Sequence, residues 1–262
     1  MKGLQRRIQA NLRTMVKTSM WLFLVSNGAT AQRMMPVSVT SLDALTQTEA
    51  LQSPLAPVEP DVEVVMTPRP FGLDGLSTAR LCAGLPWANS TVGIAARSGT
   101  TISDVSVGMR HRWLPMNGYV MGLAGDFRWL LIQGMDDVLM LDLDLVAGMH
   151  LQEWTLSVGL MKIVAFASSH GPVFTAGLAR SADSTRVMVD LRVPWNTSAS
   201  IRCAALVMMS EDLIGRVAVS SYPIVLECAL RCRVSPTTDF VIDMEYANPL
   251  GMRTTLTLAM SM

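Results

Sequence analysis

Between Leu139 and Leu151 the chain alternates without a break. Leu139, Leu141, Leu143, Leu145, Ala147, Met149 and Leu151 fall on one face of an extended strand. Met140, Asp142, Asp144, Val146, Gly148, His150 and Gln152 fall on the other. Successive side chains of a strand point to opposite faces, so this period of two selects β-structure and excludes an amphipathic helix. The same alternation returns in residues 119–131, 187–193, 201–207, 224–233, 239–246 and 252–260. Turn-forming groups such as Ser181-Ala182-Asp183-Ser184, Ser235-Pro236-Thr237-Thr238 and Asn248-Pro249-Leu250-Gly251 separate the runs. The spacing predicts roughly ten to twelve consecutive antiparallel strands, many of the length of a tilted membrane strand.

Two architectures share this pattern. A soluble sandwich turns the apolar face inward, whereas a transmembrane barrel turns it to lipid. Composition favours the barrel. Hydrophobic residues make up 50% of the chain and charged residues 16%, against about 25% charged in a typical soluble domain. No apolar run reaches the roughly 18 residues that a membrane-spanning helix needs. The non-apolar face is rich in Gly, Ala, Ser and Thr, too poor in charge for a wet surface. Trp113, Tyr119, Trp154, Trp195, Tyr222 and Tyr246 lie near predicted strand ends, where membrane barrels carry aromatic girdles. The expected fold is therefore all-β: an antiparallel up-and-down transmembrane β-barrel. A secreted sandwich that binds a ligand or partner is the alternative. Lys+Arg and Asp+Glu are both 21, so no net field attracts a polyanion and a nucleic-acid partner is not expected.

The N-terminus reads as export machinery. Lys2, Arg6, Arg7, Arg13 and Lys17 precede the short apolar core Met20–Val25, and Ala29-Thr30-Ala31 offers a small-residue cleavage step. This is a signal-peptide layout over residues 1–31, cleaved after Ala31, with Met1 or Met15 as the start. Residues 32–78 contain Pro36, Pro54, Pro57, Pro60, Pro68 and Pro70 among many Ser, Thr and Gln. They are assigned to a periplasmic linker, either a passive spacer or a docking tail for secretion-system or periplasmic proteins. Within the linker, Asp61–Met66 has the character of a short strand. The barrel is assigned to residues 79–262, in the outer membrane of a bacterial envelope with lipid as its first partner.

The strand Trp154–Lys162, with a Gly and a following Lys, and the strand Asp239–Tyr246, followed by a turn and a final strand, resemble those of the PorV/PorQ group. These are short outer-membrane barrels of the fatty-acid-transporter-like class that accompany type IX secretion. The resemblance spans residues 81–262 and implies a β-barrel that anchors or shuttles secreted cargo.

The expected lumen face carries Asp126, Arg128, Asp142, Asp144, His150, Asp190, Arg192, Arg202, Glu227, Arg231, Arg233, Asp239, Asp243, Glu245 and Arg253. Both signs are nearly balanced. A charged pore wall would select solutes; a set of ion pairs would fill a narrow lumen and hold strand register, and balance favours pairing. Asp142 and Asp144 lie about 7 Å apart on one strand, but His150 lies about 20 Å from Asp144, too far for joint coordination. No metal site and no cofactor are expected. The three histidines, His111, His150 and His170, belong to no H-E-x-x-H motif, and no G-x-S-x-G occurs. No catalytic residue is assigned. A barrel-borne hydrolase would need a Ser, a His and an acid converging at one rim. Of the four cysteines, Cys228 and Cys232 are separated by about 13 Å along a strand and cannot pair. Cys203, Cys228 and Cys232 are expected to face lipid. The sequence thus points to a non-enzymatic barrel with a role in envelope structure, cargo handling or limited solute passage.

Overall fold

A computed structural model describes Leu45, Leu55 and residues 61–72, 77–87, 89–99, 102–133, 137–163, 165–166, 171–195 and 198–261. The described residues belong to one compact unit. The strands are β1 (Asp61–Thr67), β2 (Thr78–Trp87), β3 (Ser90–Gly99), β4 (Ile102–Trp113), β5 (Tyr119–Ile132), β6 (Val138–Leu151), β7 (Trp154–Met161), the two-residue β8 (Ala165–Phe166), β9 (Val173–Ala182), β10 (Thr185–Pro194), β11 (Ser200–Ser210), β12 (Leu213–Ser221), β13 (Ile224–Ser235), β14 (Thr238–Ala247) and β15 (Gly251–Ser261). A one-turn 3-10 helix covers Pro70–Gly72.

Each long strand pairs antiparallel with the next, and β1 lies between β15 and β2. The pairing of β5 with β6 leaves no free edge, so fourteen long strands form a closed barrel. A single sheet closed on itself excludes two stacked sheets. The alternation maps onto its two sides. Leu81, Val107, Leu139, Val189, Ile201, Val217, Leu226 and Met252 are exposed on the outer side. Their neighbours one residue away point inward and are largely buried. A continuous apolar exterior of this kind is stable only against lipid tails. Cys203, Cys228 and Cys232 are exposed on the outer side, as expected, whereas Cys82 is buried on the inner side.

The strand number and the barrel boundary differ from the sequence reading. Fourteen long strands are present rather than ten to twelve, and the barrel starts at Asp61, inside the segment assigned to the linker. Asp61 pairs with Ser261 and with Gly84, so β1 is the staple that joins the two ends of the sheet. Strands β2 to β4 were hard to count because Ala79, Ala83, Ala95, Gly93, Ser103 and Gly108 dilute their alternation. The signal sequence assigned to residues 1–31 lies outside the described residues.

The two rims are unlike. At one rim, hereafter the near rim, β1 starts, β15 ends and most connections are tight turns, such as those at 151–154, 182–185, 210–213 and 235–238. The opposite, far rim carries the longer connections at 67–78, 132–138, 161–173 and 194–200. Outward-facing aromatics mark both levels. Trp113, Tyr119 and Trp154 ring the near rim, and Trp129, Phe174, Trp195, Tyr222 and Tyr246 ring the far one. All six aromatics singled out from sequence stand exposed at these levels. An apolar band between two aromatic girdles is the exterior of a membrane-spanning barrel.

Register shifts interrupt the ladder at Met208/Ser210 and Arg233/Ser235, and a further irregularity lies along β6. β7 and β8 lie along the same partner, β6, and between them Lys162 adopts a positive φ of 55°. Its backbone N–H, turned away from the ladder, donates to the Asp144 carboxylate at 2.7 Å. The following Ile163 N–H returns to the Leu143 carbonyl. This is a β-bulge whose orphan donor is satisfied by a side chain.

The outer face sets a measurable cost. Val217, in the middle of β12, is 56% exposed. The change Val217→Arg is expected to lower folding stability by about 2–4 kcal/mol in denaturant titrations in lipid vesicles, against about 0–1 kcal/mol for Met209→Arg near the rim. Equal, small effects at both positions would show that this face does not meet lipid.

Candidate functional site

The inner wall is where this chain departs from a plain apolar surface. The strands place every residue of the expected lumen set on the inner face: Asp126 and Arg128 on β5, Asp142, Asp144 and His150 on β6, Asp190 and Arg192 on β10, Arg202 on β11. Glu227, Arg231 and Arg233 follow on β13, Asp239, Asp243 and Glu245 on β14, and Arg253 on β15. They are not equally enclosed. Asp190, Arg202, Glu227, Asp243, Glu245 and Arg253 are buried, while His150 and Arg233 are exposed at the near rim.

Register joins most of them into two belts of ion pairs. The larger runs across β10 to β15. Asp190 lies directly opposite Arg202, whose guanidinium approaches Asp190 at 3.9 Å and Glu227 at 3.8 Å. Arg216 on β12 bonds Glu227 at 2.6 Å and reaches Asp243 at 3.9 Å. Arg253 pairs with Glu245, its direct cross-strand partner. Near the rim, Asp239 takes both Arg231 and Arg233. The smaller belt spans β3 to β5. Arg97 bonds Asp104 at 2.8 Å, Arg128 approaches the same carboxylate at 3.9 Å, and Arg110 meets Asp126 at 3.4 Å. Gly108 lies opposite Asp126, and a Cβ there would collide with its carboxylate; only glycine leaves room for that acid to turn toward Arg110.

Several members escaped the sequence reading: Glu63, Arg80, Arg97, Asp104, Arg110 and Arg216, all inward-facing. Arg216 is the most telling, because its side chain is fully enclosed and it ties three strands together. Its signal was present, since Arg216, Ala218 and Ser220 alternate with Val217 and Val219. The others sit on β1 to β4, where small residues weaken the pattern.

The geometry narrows the chemistry. Asp126 lies opposite Asp142, and Asp144 occupies the next inward pair. Asp126 is committed to Arg110 and Asp144 to the Lys162 N–H. Among the described residues no group of three or more His, Cys, Asp or Glu side chains is arranged to hold a metal ion. His150 bonds the Thr155 hydroxyl at 3.0 Å rather than a carboxylate. His111 bonds the Ser90 hydroxyl at 2.7 Å and stacks edge-on to Trp113, at the near-rim end of β4. Among the described residues no acid joins this Ser–His pair, as the orienting member of a triad would. His170 lies outside the described residues.

Comparison with known proteins speaks through shape rather than sequence. No protein-family model matches the chain, and no curated protein matches it. Among solved structures it is similar to the Acinetobacter baumannii outer membrane protein Omp33, with a TM-score of 0.58 at 10% identity, covering 78% of this chain and 98% of that one. It is similar in fold to the porins. An engineered variant of Rh. blastica porin aligns with a TM-score of 0.52 at 8% identity over 78% of this chain and 98% of that one. Both likenesses concern the barrel architecture.

The larger belt makes a direct prediction. Arg216→Met removes the guanidinium 2.6 Å from the buried Glu227, with Arg202 at 3.8 Å, and is expected to cost about 3–5 kcal/mol in folding into lipid vesicles. Adding Glu227→Gln should restore at least half of that loss. No recovery in the double variant would show that the two side chains are not energetically coupled.

Proposed function

We propose that this chain is an outer-membrane β-barrel without enzymatic activity that gives limited passage to small solutes. The observation that carries the reading is the combination of a closed, apolar-sided barrel with an inner wall of mutually paired charges. The likeness to porin folds supports the location. The proposed export route is a signal peptide over residues 1–31, cleaved after Ala31. Short turns belong at the periplasmic side of such barrels, so this reading assigns the near rim to the periplasm and the longer loops to the outside.

Limited rather than free passage follows from the wall. Wide aqueous channels take about 16–18 strands, and small barrels are filled by their own side chains. Fourteen strands with inward Arg side chains tied to carboxylates lie between these limits. The resemblance to the type IX secretion-associated barrels rests on strand pattern and supports cargo handling only to that extent. Use of residues 32–78 as an exposed docking tail for a secretion-system or periplasmic protein is the weaker reading. Leu45 and Leu55 are both buried, and β1 is spent on closing the barrel.

The test is reconstitution. A folded barrel should run faster on an unheated than on a heated denaturing gel. In planar bilayers it should show small conductance with a reversal potential near zero under a potassium chloride gradient, because both charge signs line the wall. Uptake of small sugars by loaded liposomes should be slow but measurable. Strong selectivity for one ion sign would overturn the balanced-wall reading, and sugar uptake no faster than in protein-free liposomes would overturn solute passage.

A further inference from the structure

The inner wall is too dry for an empty barrel of this size. Fourteen strands about 4.8 Å apart, tilted about 40°, close into a ring on the order of 28 Å between opposite backbones. Wall side chains alone would leave an aqueous core along such a tube. Yet inward apolar side chains all round it are closed to solvent: Val120 on β5, Val146 on β6, Met188 on β10, Val225 on β13 and Val241 on β14. The inward Ala124, Ala179 and Ala247, too short to shield themselves, are equally dry. Side chains this dry need cover on the lumen side.

The chain supplies a candidate. Leu55, ahead of β1, is buried, and it forms one apolar cluster with Val120 and Val146. These two residues line the inner wall close to the near rim, and between them Gly148 completes a socket. A Cβ added to Gly148 would lie 3.0 Å from both the Leu55 Cδ1 and the Val120 Cγ1 atoms, so glycine is what opens the seat for Leu55. Leu55 stands only six residues before Asp61, where β1 starts at the same rim (61 − 55). That step reaches at most about 20 Å. Five strand positions separate β1 from β6 around the ring. Leu45, ten residues earlier (55 − 45), is buried as well.

We propose that Leu55, seated in the Val120–Val146–Gly148 socket at the periplasmic mouth, acts as a tethered plug of the barrel. The occupant is the chain's own Leu55, and the socket is its anchor. The proposal rests on the outer-membrane barrel reading but not on the passage of sugars.

Two measurements test it on the full-length, heat-modifiable protein. The first introduces Leu55→Cys with Val120→Cys. Mild oxidation should link the two peptides, as read by mass spectrometry after proteolysis, while Leu55→Cys alone with the native cysteines should not form that link. The second records ion conductance. Leu55→Asp, which places a charge in the apolar seat, should raise conductance several-fold. Gly148→Leu, which fills the seat from the wall side, should do the same without touching the segment. Failure of the paired cysteines to link in a barrel that shifts mobility on heating would overturn the docking. Linkage with conductance unchanged by either Leu55→Asp or Gly148→Leu would overturn the obstructing role. Sugar uptake is scored separately, so a barrel that links and gains conductance yet passes no sugar would refute solute passage and leave the plug standing. A protein without heat modifiability would instead refute the barrel reading on which both depend.

Discussion

Every other feature depends on backbone hydrogen bonding in a medium that offers no water. Within a bilayer an unpaired N–H or C=O costs several kcal/mol, so a sheet that crosses it has to close. Here closure falls to β1, a seven-residue strand flanked by prolines, which pairs with β15 on one side and β2 on the other. Once the ring is closed, parity decides the rest. Each residue faces either lipid or lumen, and a slip of one residue would exchange the two. The chain therefore carries two surfaces written in alternate letters, one uniformly apolar and one built from small residues, charges and a few apolar contacts.

The inward charges make that parity hard to violate. Cross-strand partners such as Asp190 and Arg202, or Glu245 and Arg253, meet only in the correct register. Buried ion pairs add little net stability over apolar packing, but a misplaced one is costly, so their value lies in specifying alignment. The bulge at Lys162 belongs to the same logic. An N–H turned out of the ladder is captured by Asp144, an acid that the alternation had already aimed inward.

Much of this architecture was legible in the chain. The strand period of Leu139–Leu151, the aromatic levels from Trp113 to Tyr246, the outward Cys203, Cys228 and Cys232 and the inward acids and arginines all follow from residue type and parity. Strand number was not legible, because Ala, Gly and Ser on β2 to β4 satisfy either face and carry no contrast. The strand at Asp61–Met66 was legible, but its place in the ring was obscured by proline-rich surroundings, since that place comes from two neighbours distant in sequence. Ion-pair partners were out of reach as well. Alternation tells which face Arg216 occupies, but only register brings it to Glu227 and Asp243.

Glu227 and Glu245 stand directly opposite each other on β13 and β14. Their neutralising cations come from outside that hairpin, from Arg216 on β12 and Arg253 on β15. A β13–β14 hairpin standing alone would hold two opposed carboxylates without the Arg216 and Arg253 guanidiniums, and like charges directly opposite each other repel. The hairpin is therefore a poor independent unit, and the C-terminal strands gain stability as a block of four. Insertion of this part of the wall is cooperative by construction, since the Glu227–Glu245 level of the β13–β14 hairpin receives the Arg216 and Arg253 guanidiniums only when β12 and β15 flank it.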